Sequence, residues 1–207
     1  MKIAVFGSTG GTGREIVKQA LAARHEVMAF ARSPEKLGDL HHEMLAILKG
    51  DVLIYADVAR AVLGQDAVLC ALGNPTLKPD TTTSNGTKNI IRAMTEHGVK
   101  RFICETSLGV GDSNGQPGFI FTKIVVPVVL KNAMADKELQ ETAIRESSLD
   151  WTIVRPGGLT NGERTGVYRY GMERSIAGRI SRADVADFIL RQLESDEFIG
   201  KTPAICY

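Results

Sequence analysis

The chain has 207 residues, of which 43% are hydrophobic, and its 25 Lys+Arg against 24 Asp+Glu leave a formal charge of +1. That is roughly one domain of chain, able to bury about 70% of its unfolded surface without a disulfide or metal staple. A near-neutral, mixed-sign composition lacks the basic face that nucleic acid or an anionic membrane calls for, so neither is expected as a partner.

Met1-Lys2-Ile3-Ala4-Val5-Phe6-Gly7 turns glycine-rich too soon to hold the apolar core of a signal peptide, so no export is expected. Residues 2–6 read as a short, β-branched buried strand, followed by the glycine cluster 7–13 and a helical pattern from Arg14 to Ala23. A second strand is expected at Glu26 to Ala31 and a short helical stretch at Pro34 to Leu40. The third strand, Leu45 to Leu48, ends at Gly50-Asp51, and a helix follows from Ala56 to Leu63. The fourth strand, Ala67 to Leu72, ends at Gly73-Asn74-Pro75, and a long helix from Ser84 to His97 stops at Gly98. Arg101 to Glu105 is strand five, Asn132 to Glu146 a long helix and Trp151 to Val154 strand six. This alternation predicts an α/β fold with a doubly wound, mainly parallel sheet.

Between strand five and the last long helix, Phe119 to Leu130 is apolar but interrupted by Lys123 and Pro127, well short of the ~20 residues a membrane span needs. It reads as core helix, pocket wall or subunit contact. Past strand six, Gly157 to Gly162 forms a glycine-rich turn and Gly166 to Tyr170 a short strand. Ser181, with Asp184 three residues on, gives a capping-box-like start to a helix whose apolar face carries Val185, Phe188, Ile189 and Leu190. No repeat or linker divides the chain, so residues 1–207 are expected to form a single domain. Cys70, Cys104 and Cys206 show no CxxC or Cys/His ligand spacing, which fits a reducing compartment, the cytoplasm, and buried inert thiols. His41 and His42 lack further ligands, so no metal is expected.

The main chemical signal is Gly7-Ser8-Thr9-Gly10-Gly11-Thr12-Gly13, a GxxGxxG after a strand and before a helix. Small residues there let the backbone approach a pyrophosphate and aim free N–H groups and the helix dipole at it. Gly7, Thr9, Gly10, Gly11, Thr12 and Gly13 are therefore candidates for dinucleotide binding, the alternative being a tight turn with tolerated glycines. At the end of strand two, where an acidic residue would hold the ribose 2′-hydroxyl of NAD, the sequence has Arg32, with Ser33 beside it and Lys36 one turn on. Arginine at that place favours the 2′-phosphate of NADPH. Asp51-Val52 after strand three suits the adenine edge, although Asp51 also suits a turn after Gly50. Ala71, Leu72 and Gly73 end strand four beside the reversal of strand order, where ligands bind in open α/β sheets.

Taken together, the glycine loop, Asp51-Val52, Thr106-Ser107 and Thr152-Ile153-Val154-Arg155-Pro156-Gly157 resemble the atypical short-chain dehydrogenase/reductase superfamily, nearly end to end. Within it the chain is most similar to the flavin reductase/biliverdin-IX-beta reductase group, through Val27 to Leu37, Gly64-Gln65-Asp66-Ala67-Val68, Gly86 to Ser107 and Thr165 to Glu197. The resemblance implies a Rossmann-like domain that uses NADPH to reduce flavins, biliverdins or quinones, with flavin as substrate rather than prosthetic group. It also implies a cofactor role for Thr106, Arg155 and Pro156, with Arg155 pairing with a nearby carboxylate or phosphate, and a site role for Ser107 and Lys137, with residues 155–207 on the acceptor side.

Two departures narrow the chemistry. The superfamily's Tyr-x-x-x-Lys pair aligns with Ala133 and Lys137, so the phenol that protonates an ordinary ketone is missing, a loss of about 10²–10⁴-fold for such substrates. A planar conjugated acceptor spreads the charge and takes its proton from solvent. A histidine common in the resembled group is also absent, since Gly157-Gly158 follow Arg155-Pro156. Ser107 has no apparent His–Asp partners and is expected to hydrogen-bond rather than attack, or else to cap a turn. Lys137 either faces the nicotinamide ribose or pairs with Glu141 at i+4, and Tyr168 and Tyr170 are placed to reach the pocket. The sequence reading is thus an NADPH-dependent reductase of a small planar acceptor, a monomer or weak dimer. A non-catalytic NADPH sensor and a sugar-nucleotide epimerase stand as rivals.

Overall fold

The computed structural model describes residues 1–73, 80–113, 115–116 and 131–207. Phe119 to Leu130, together with Asn74-Pro75 at the end of the fourth expected strand, lies outside them. Eight strands form one sheet in the order β3-β2-β1-β4-β5-β6-β10-β8, and β7 pairs with β9 in a second, two-stranded sheet. The strands are β1 (Lys2–Phe6), β2 (Glu26–Ala31), β3 (Leu45–Lys49), β4 (Ala67–Cys70), β5 (Arg101–Glu105), β6 (Asp150–Pro156), β7 (Gly158–Thr160), β8 (Arg169–Gly171), β9 (Arg179–Ser181) and β10 (Ala204–Cys206). All neighbours in the large sheet run parallel except β8, which is antiparallel to β10.

Side-chain alternation on β1 divides the core. Ile3 and Val5 pack with Ile16, Val17 and Ala20 of α1 (Gly11–Ala22) and with Val185, Phe188 and Ile189 of α5 (Arg182–Arg191). Ala4 and Phe6 face the other layer, against α2 (Tyr55–Val62), α3 (Thr82–His97) and α4 (Lys131–Arg145), where Val58, Ile90, Met94 and Ile144 are fully buried. A sheet covered on both faces explains why its central strands read as unbroken apolar runs. The Ser181 expectation is met, since its Oγ accepts from the Asp184 N–H at 3.0 Å and α5 starts at the next residue.

Several boundaries differ from the sequence reading. α1 begins at Gly11 rather than Arg14, with the Arg14 N–H bonded to the Gly10 carbonyl, because the glycine loop itself closes the first helical turn. β4 stops at Cys70 rather than Leu72: its pairing with β5 ends at Cys70 opposite Cys104, and Ala71 and Leu72 continue past the ladder. Residues 157–162 are not wholly turn, as Gly158–Thr160 pair with Arg179–Ser181, and Pro34–Leu37 form a single 3-10 turn. β10, which extends the sheet beyond β6, was not foreseen. Among the described residues no helix is long and apolar enough to cross a membrane.

Candidate dinucleotide and acceptor site

Strand order reverses between β1 and β4, so the connections leaving their paired C-terminal ends run in opposite directions and leave a cleft. Two glycines of the segment leaving β1 have no room for a side chain. Gly7 has φ +80°, and a Cβ on it would lie 2.4 Å from the Ala71 carbonyl oxygen; a Cβ on Gly13 would lie 2.1 Å from the Gly7 oxygen. The Gly10 N–H closes the turn onto the Gly7 carbonyl at 2.9 Å, and Ser8 Oγ donates to the Phe30 carbonyl at 2.8 Å, tying the loop to β2. Gly10 and Gly11 are exposed at the start of α1, with Thr9 half-buried before them and Thr12 buried after them. This is a cradle that only hydrogen atoms leave open, and its residues fit a dinucleotide pyrophosphate.

The cleft has a volume of about 510 Å³, within the range of small-ligand sites. Gly10, Gly11 and Thr12 line one side, Ala71, Leu72 and Gly73 the floor, and Glu105, Thr106 and Ser107 the end of β5. From α4 come Ala133 and Lys137, four residues apart on one face, so the tyrosine-to-alanine departure falls inside the cleft. Lys137 does not join Glu141; its Nζ donates to the Glu105 carbonyl at 3.4 Å. A second cavity of about 640 Å³ lies beside the first, lined by Pro156, Gly157, Gly158, Thr160, Gly178 and Arg179. Thr106, Ser107 and Leu159 line both. The Ser107 hydroxyl donates only to the Leu108 carbonyl, at 3.2 Å, and no histidine approaches it among the described contacts.

The loop after β2 carries the residues expected at the adenosine end. Arg32 and Lys36 are exposed, Ser33 is half-buried, and no described carboxylate pairs with either cation. Arg14 of α1 holds this loop, donating to the Lys36 carbonyl at 2.7 Å and pairing with Asp39. At Asp51 the structure shows the turn: its Oδ1 accepts from the Leu53 N–H at 2.9 Å, and its own N–H donates to Asp57 Oδ2 at 3.0 Å. Val52 is buried against Gly86 of α3, and its carbonyl accepts from Asn89 at 2.9 Å.

Arg155 takes the carboxylate of its two expected partners, Thr106 keeps its place in the cleft, and the expectation for Tyr168 and Tyr170 is corrected. Arg155 does not reach the cleft; 3% exposed, it makes a bidentate pair with Glu141 (Nε to Oε1 3.0 Å, an Nη to Oε2 2.5 Å) and reaches Asp112 at 2.6 Å. Thr106 Oγ1 donates into the same cluster, to Glu141 Oε1 at 2.7 Å, although the residue still lines the cleft. Tyr168 and Tyr170 pack with Phe188 on α5 instead of entering the pocket, because the Tyr168 hydroxyl donates to Asp187 at 2.6 Å.

Three residues were missed. Arg182, first in α5, runs its side chain across Gly11, where a Cβ would lie 2.5 Å from its Cδ, and its guanidinium donates to Asn161 at 2.6 Å while lining the cleft. Asp136 of α4 caps α3, accepting from the Thr83 and Ser84 N–H groups at 3.0 and 3.1 Å. Glu105 sits 6% exposed at the cleft floor, with Thr12 Oγ1 donating to its Oε1 at 3.0 Å. Burial pushes its carboxyl above the ordinary range against the opposing pull of Lys137, Thr12 and Arg182. The ETS run at the end of β5 showed an acid there, but only the fold brings Thr12 and Lys137 to it. No group of three or more His, Cys, Asp or Glu forms a metal-ligand cluster among the described residues.

Residues 7–196 match the model of the NAD(P)H-binding family. An uncharacterized chloroplastic protein of Arabidopsis thaliana is 33% identical over 209 residues, covering 95% of this chain and 73% of its own length. Among solved structures, the oxidoreductase ylbE of Lactococcus lactis superposes with a TM-score of 0.85 at 25% identity, covering 99% of this chain and 90% of its own. ChuY, an anaerobillin reductase from Escherichia coli O157:H7, also gives 0.85 at 25% identity, covering 99% and 96%.

Proposed function

The chain belongs to the NAD(P)H-binding family, and from that premise we propose that it is an NADPH-dependent reductase of a planar conjugated acceptor, free flavin first, with biliverdin or a quinone as alternatives. The observation that carries this reading is the shared lining: Thr106, Ser107 and Leu159 line both a glycine-cradled cleft and a second cavity, so the two adjoin, the arrangement a donor and an acceptor ring need to meet. The likeness to ChuY, an anaerobillin reductase, supports the acceptor class.

When bound, the nicotinamide supplies the hydride. The protein's part is to hold and shield. N–H groups of Gly11 and Thr12 and the α1 dipole receive the pyrophosphate, with Arg182 lying over Gly11 as a second source of positive charge. Arg32, Ser33 and Lys36 take the 2′-phosphate, which two unpaired cations suit. Pro156 walls the acceptor cavity, and Ser107 stands between the two cavities with a hydroxyl able to bond to cofactor or acceptor. Ala133 beside Lys137 leaves no phenol to protonate an alkoxide, so the chemistry falls to acceptors whose reduced anion is delocalised, and catalysis comes from proximity and exclusion of water.

Oxidation of NADPH and NADH should be followed with riboflavin, FMN, biliverdin and a quinone. Turnover of at least one planar acceptor with preference for NADPH is expected. Tight NADPH binding with no turnover on any of them would overturn the reductase reading in favour of a nucleotide sensor.

A further inference from the structure

The reduction proposed above makes no use of Glu105, a carboxyl more than nine-tenths buried in the floor of the cofactor cleft. Its Oε1 accepts from Thr12, the second residue of α1, so the acid is tied to the turn whose free N–H groups open into the cleft. Two cations face it from other elements, Lys137 from α4 and Arg182 from α5. Asp136, also on α4 and lining the cleft, is turned to the backbone of Thr83 and Ser84. The first turn of a helix is where an anionic ligand is received. A carboxylate beside that turn repels a bound pyrophosphate at low effective dielectric.

We propose that Glu105 is a proton-linked positioning residue of the dinucleotide site, taking up a proton when the cofactor binds so that a neutral acid lies beside the pyrophosphate seat. The inference rests on that seat and is independent of which acceptor is reduced. Two features support it. Desolvation already biases the group toward its protonated form in the free protein. The Thr12 bond survives protonation, because the second carboxyl oxygen can carry the proton while Oε1 still accepts, so the α1 turn keeps its shape in both states.

The sign follows. Ionised Glu105 opposes binding, so NADPH affinity falls as pH rises through its titration, by at most about tenfold per pH unit for one linked proton. Calorimetric titration of the full chain with NADPH, in buffers of different ionisation enthalpy, reads the protons taken up directly. Wild type is expected to take up more than Glu105→Gln at the same pH. The variant should lose that part of the pH slope and bind NADPH more tightly than wild type at the alkaline end. Equal proton counts and equal slopes would overturn the proposal, as would a Glu105→Gln protein that binds more weakly at every pH. Should the variant fail to fold, infrared difference spectra of wild type on adding NADPH decide: a new protonated-carboxyl band with loss of a carboxylate band supports the proposal, and its absence overturns it. Failure of acceptor turnover would leave these readouts untouched, whereas failure to bind NADPH would remove the seat itself.

Discussion

The ionic cluster behind β5 and β6 and the basic loop after β2 each present cations that the sequence assigns to the cofactor, and their surroundings differ completely. Arg155 is buried, forked onto Glu141 and bonded to Asp112, with Thr106 and Arg145 completing the network. Arg32 and Lys36 are exposed with no described partner, on a loop whose backbone is pinned by Arg14. A guanidinium already satisfied by carboxylates in a dry environment has nothing left for a phosphate, and its removal strands a charge. A free cation on a fixed loop contributes nothing to the fold and is available to a ligand. The comparison assigns stability to the first region and cofactor choice to the second.

Four substitutions test that division, in falling order of effect. Arg155→Ala leaves Glu141 buried without its main partner and should cost about 3–5 kcal/mol of stability, lowering Tm by about 10 °C or more. NADPH affinity of the folded protein should hold, as thermal and binding titrations would check. Arg32→Glu should do the reverse, leaving Tm within about 2 °C while shifting the NADPH-to-NADH ratio of kcat/KM by about 10²-fold, the worth of a charge-assisted bond and a new repulsion. Lys36→Ala should weaken NADPH about fivefold and NADH hardly at all, an effect that shrinks at high salt. Asp112→Asn is the mildest. Burial pushes the Asp112 carboxyl up, but Arg155 and Arg145 outweigh it and hold it below the usual aspartate range. A depressed carboxyl stabilises above its unfolded pKa and loses that contribution as pH falls through its folded one. Because the side chain is 67% exposed, the loss at pH 7 should stay under about 1 kcal/mol and disappear in acid.

Legibility in the sequence tracked how local the cause was. The β1 loop could be read because the positive φ of Gly7 and the contact of Gly13 with the Gly7 oxygen lie within one turn, and Ser181 with Asp184 closes a cap three residues long. β10 and the β7–β9 pair escaped because three-residue strands beside Pro203 and Gly178 are too short to show a period. Glu105, Arg182 and Asp136 escaped for a different reason: each meets residues far away in the sequence, Thr12 for Glu105, Gly11 for Arg182 and Thr83 and Ser84 for Asp136, which only the strand order supplies. The partner of Arg155 stayed open between a carboxylate and a phosphate because a motif gives a position along β6 but not the face it turns to, and Glu141 lies on that face.

The account stands most directly on hydride transfer where the two cavities adjoin at Ser107. Single-turnover oxidation of NADPH by FMN, with and without deuterium at the transferred position of the nicotinamide, measures it. The account predicts oxidation that is slowed by the label and is far faster than with NADH. NADPH that binds tightly yet is not oxidised by FMN, biliverdin or a quinone would contradict it.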